Sequence, residues 1–77
     1  SLTRQMARDF SAGSSHPEKR ADGDGRNYGF LRMIARPTPS QMARINACLA
    51  EISEILWDSS DENGTAISFG WVLSPID

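Results

Sequence analysis

Several residue clusters carry side chains that chemistry would need, and none of them completes a reactive set. Asp22-Gly23-Asp24-Gly25-Arg26-Asn27 alternates oxygen ligands with small residues, as a calcium loop does. Such a loop needs an oxygen donor at its fifth position and a bidentate glutamate at its end. Here Arg26 holds the fifth position and no suitably placed glutamate follows. Ser14-Ser15-His16 sets hydroxyls beside an imidazole, yet nucleophilic catalysis also needs a third group to orient the base. His16 is the only histidine and Cys48 the only cysteine, so the chain holds no zinc set of histidines and thiolates. Asp58, Asp61 and Glu62 cluster three carboxylates, but no apolar residue among them would raise a pKa for acid–base work. The glycines form no phosphate-cradling pattern. These clusters read as solvated loops. The expectation is a protein that is not an enzyme and takes no cofactor and no metal.

The elements around these clusters are better defined. From Thr38 to Trp57, apolar residues fall at Met42, Ile45, Leu49, Ile52 and Leu56, and Cys48 and Ile55 widen the seam. At about 100° per residue these positions span an arc of roughly 140°, the width of a helix face laid on a core. Thr38, Pro39 and Gln41 supply the cap, the first-turn proline and the third residue of a capping box. The polar run Asp58–Gly64 ends the helix. Leu2, Met6 and Phe10 recur every four residues and predict a short helix over 1–11. Residues 12–27 contain no large apolar side chain and read as a long flexible loop or linker.

Two stretches carry a period of two. In 28–35, Tyr28, Phe30, Arg32 and Ile34 alternate with Gly29, Leu31, Met33 and Ala35. In 65–73, Ile67, Phe69, Trp71 and Leu73 alternate with smaller residues. The predicted fold is α/β or α+β: a strand–helix–strand domain over 28–77, preceded by the short helix and the loop. If the strands pair side by side and parallel, the crossover is right-handed. A split unit with an intervening strand is the alternative. The helix seam would then face the sheet, and Leu49→Ala would cost on the order of 2–5 kcal/mol.

Composition narrows the setting. Seventy-seven residues make one small domain, burying only about 60% of its unfolded surface. The net charge of −2 is unevenly spread: all eight Arg and Lys lie in residues 1–44, and residues 45–77 carry only acids. Scattered arginines in an acidic chain argue against nucleic acid as partner. No apolar run reaches the roughly 18 residues of a membrane span, and no signal peptide is evident. A lone cysteine on an apolar helix face predicts a buried, reduced thiol and a cytoplasmic setting.

The order of elements resembles part of the C-terminal domain of the bacterial tubulin-like cell-division GTPases, the FtsZ family. Phe30–Ala35, the turn Arg36-Pro37-Thr38-Pro39, the helix Gln41–Leu56, the acidic turn Asp58–Gly64 and Ile67-Ser68-Phe69-Gly70 follow that pattern. The family's phosphate-binding glycine loop, its catalytic acidic loop and its two final strands have no counterpart, so no nucleotide-binding or catalytic residue carries over. The resemblance implies a fragment or non-catalytic mimic of that domain.

The leading expectation is a small non-catalytic interaction module, a bacterial or phage regulator or inhibitor acting by protein binding. Its partner is a protein or a second copy of itself, in a homodimer formed through the sheet. Trp71, Phe69, Trp57 and Arg32 are the candidate partner-binding residues. Trp71 is the preferred anchor because it lies mid-strand among large residues. Trp57 lies roughly 60° outside the helix seam, where it either closes the core or stands exposed as an anchor.

Overall fold

A computed structural model describes residues 1–76. The described residues form two helices, α1 (Leu2–Gly13) and α2 (Pro39–Trp57), and no strand. The fold is therefore all-α, which corrects the α/β or α+β expectation and its strand–helix–strand core. The chain divides into two units, Ser1–Leu31 with the stretch from Thr65 onward, and Arg32–Gly64.

In the first unit, the Ser1 hydroxyl caps α1 by accepting from the Arg4 amide at 3.3 Å. At the end of the helix, Ser14 caps α1 by donating its amide to the Ser11 carbonyl, and a folded connection begins. His16 donates its amide to the Gly13 carbonyl, and its Nδ1 accepts from the Glu18 amide at 3.0 Å. Asn27 closes the loop: its side-chain oxygen accepts from the Arg20 amide at 2.8 Å, and its side-chain nitrogen donates to the Glu18 carbonyl at 3.1 Å. Gly23, with φ of 75°, starts the tight turn that ends where Arg26 donates back to its carbonyl. That positive φ is where a side chain would be strained.

The half-buried face of α1 consists of Met6, Asp9, Phe10 and Gly13, the spacing of one side of a helix. Phe10 stacks on Tyr28 with centroids 4.5 Å apart and lies 6.0 Å from Phe30. The Tyr28 hydroxyl donates to the Phe10 carbonyl at 3.2 Å. Gly70 passes so close to Met6 that a Cβ there would sit 2.9 Å from its sulfur. These contacts give the physical reason for the missing strands. A strand is stable only when a neighbour takes its backbone hydrogen bonds, and a two-stranded pair is marginal. Here Tyr28, Phe30 and the Gly70 backbone lie against α1 instead, and no ladder forms among the described residues.

In the second unit, α2 starts with the capping box its sequence announces. The Thr38 hydroxyl accepts from the Gln41 amide at 3.1 Å, and the Gln41 side chain accepts from the Thr38 amide at 2.9 Å. Pro39 sits in the first turn, where its missing N–H costs nothing. At the other end Asp58 donates its amide to the Glu54 carbonyl, and an Asp61 turn accepts from Asn63. None of the described residues is buried. Met42, Leu49, Ile52 and Leu56 are half-buried, and the rest of the seam is exposed.

Candidate interaction surface

No catalytic arrangement emerges from the clusters that carry reactive side chains. His16 Nδ1 is engaged by its own loop, and Asn27 is a structural pin. No three of His, Cys, Asp and Glu gather in metal-binding geometry among the described residues. Among the described residues, the Asp9 carboxyl is displaced from its ordinary pKa. Hydrogen bonds from the Ser68 hydroxyl and, next, the Gln5 side chain hold it below the usual carboxylate range, against a smaller upward push from burial. The Thr65 hydroxyl is bonded to the Glu18 carboxylate in the same unit.

An open groove lies along part of the apolar face of α2. It has a volume of about 510 Å³ and is lined by Ala35, Arg36 and Pro37 and, from α2, by Gln41, Arg44, Ile45, Cys48 and Leu49. It forms because the Ala35–Pro37 stretch leading into the Thr38 cap runs beside the first turns of α2. The lining mixes the apolar side chains of Ala35, Pro37, Ile45 and Leu49 with polar and basic ones. Sequence reasoning named the seam but missed the groove. Pro37, which keeps the preceding segment extended, was the available signal.

The four residues expected to bind a partner fall two in each unit. Trp71 and Phe69 lie in the stretch from Thr65 onward in the first unit, 46% and 50% exposed, and belong to no sheet. The sheet through which a dimer was expected to form is absent among the described residues. Trp57 ends α2 at 90% exposure and closes no core. Arg32 is exposed in the stretch before the groove. Cys48 is exposed as well, which corrects the buried thiol, because no sheet covers its helix face. No helix among the described residues is long and apolar enough to cross a membrane.

Searches against protein-family models, curated proteins and solved structures return no match to this chain.

Proposed function

We propose that the chain is a small non-catalytic interaction module, of regulator or inhibitor type, that acts by presenting the apolar face of α2 to another protein surface. The observation that carries this reading is a seam of seven apolar side chains, Met42 to Leu56, that the chain itself leaves unburied. Contiguous exposed apolar surface of this kind marks an association site. The capping box supports the reading, since it satisfies first-turn amides of α2 locally and so favours the helix that displays the seam. An exposed, unpaired Cys48 fits a reducing, cytoplasmic setting. The mimic of an FtsZ-family domain is the weaker alternative: of the elements that carried the resemblance, only the helix and its flanking turns have counterparts here.

Leu49→Asp tests the reading. It places a charge at the centre of the seam while the cap is untouched. Helicity in dilute solution should change little, and association with any protein partner, its own kind included, should be lost. An associating, helical Leu49→Asp protein would overturn it.

A further inference from the structure

We infer that the occupant of the α2 face is a second copy of this chain, docked antiparallel about a two-fold axis near Leu49; this rests on the interaction-module reading above. The seam repeats every seven residues. Met42, Leu49 and Leu56 hold one core position, and Ile45 and Ile52 the other. What fixes the orientation is the character of the two flanks. Cys48 and Ile55 border the seam on one side, and Asn46 and Ser53 border it on the other. Two helices packed parallel bring unlike flanks together, setting Cys48 against a polar residue. Packed antiparallel they bring like against like. Cys48 then meets its copy, and Asn46 of each chain meets Ser53 of the other.

Charge selects the same orientation. Within residues 32–64 the bases Arg32, Arg36 and Arg44 all come before the acids Glu51, Glu54, Asp58, Asp61 and Glu62. A single helix so charged opposes its own macrodipole, and a parallel pair would stack acids beside acids. An antiparallel pair lays the basic end of each copy on the acidic end of the other. The groove supplies the fit. With Leu49 at the axis, Ile55 of one copy lies level with Ala43 of the other, between the groove residues Gln41 and Cys48. The basic turn of α2 that carries Arg44 in one copy then lies level with the acidic turn that carries Glu54 in the other. In the free chain Ile55 is 63% exposed.

A helix of 19 residues is about 28 Å long, so this contact is smaller than the standard interface of roughly 800 Å² per partner. Association is accordingly expected between micromolar and submillimolar protein, read by light scattering or sedimentation. Orientation is read by disulfide exchange. In a Cys48→Ser background, Asn46→Cys and Ser53→Cys proteins are mixed and equilibrated in a thiol redox buffer. Both native side chains bond only to their own helix backbone, at Met42 and Leu49, so their replacement disturbs little else. The expected product is the mixed disulfide, well in excess of either homodisulfide. Arg44→Glu and Ile55→Ser should each weaken the dimer by about tenfold or more with helicity retained. A statistical mixture, an excess of homodisulfides, or indifference to both substitutions would overturn the antiparallel dimer. So would a chain that stays monomeric throughout the range. If such a monomer still binds a different protein in a Leu49-dependent way, only the dimer fails and the interaction module stands.

Discussion

Asp9 is where a single side chain reports on the folding of its unit. Its carboxylate accepts from Ser68, far along the chain, and from Gln5 one turn earlier. Because the folded pKa lies below the unfolded value of about 3.9, the contact contributes its stability above that value and loses it as pH falls through the folded pKa. Ser68→Ala removes the larger cause, so a carboxyl NMR titration should show the Asp9 midpoint rising toward the ordinary range. Gln5→Ala should raise it less, and no change in Ser68→Ala would mean that the segment after Thr65 does not rest on α1. The same scale offers a second probe. Phe10 and Tyr28 are stacked at 4.5 Å, and such pairs contribute about 0.5–1.5 kcal/mol beyond their area. In Phe10→Ala the ring-current shifts of the Tyr28 protons should vanish, and the Tyr28 hydroxyl should lose the geometry that reaches the Phe10 carbonyl.

At the level of elements, what was legible was what is local. The start of α2 is written in Thr38, Pro39 and Gln41, and the structure builds both bonds of the box from those residues. Thr38→Ala should therefore cost about 1 kcal/mol of helix stability, seen as lower ellipticity at 222 nm, and Gln41→Ala should cost less. The face of α1 was legible in part, through Met6 and Phe10, whereas Leu2 is exposed. The strands were not, because alternation describes how a segment would look once paired and says nothing about whether a pair exists. Tyr28 and Phe30 alternate correctly, but their rings are claimed by Phe10, a contact across 18 residues for Tyr28 that no local pattern encodes. The Asp22–Asn27 stretch was readable as a loop. The role of Asn27 as its pin depends on the Arg20 amide and the Glu18 carbonyl arriving beside it, which is tertiary information.

For the molecule as a whole, the decisive fact is that no described residue is buried. A core residue cut to alanine costs several kcal/mol because it leaves a cavity, and a half-exposed one leaves none. The sequence pattern gave Leu49→Ala a cost on the order of 2–5 kcal/mol; with Leu49 half-buried, the dilute chain should lose less than about 1 kcal/mol. A chain without a core should also melt over a broad range of temperature, since cooperativity comes from shared packing. Association changes that balance, because whatever binds only the folded helix stabilises it by mass action. If the seam is covered by a second copy, the thermal midpoint of α2 must rise with protein concentration, and the cost of Leu49→Ala must rise with it. Circular dichroism melts of the wild type and Leu49→Ala, recorded from micromolar to submillimolar protein, make the comparison directly. The two curves should lie close together at the dilute end and separate as concentration grows. Parallel curves that never separate would mean that the seam stays uncovered at every concentration reached.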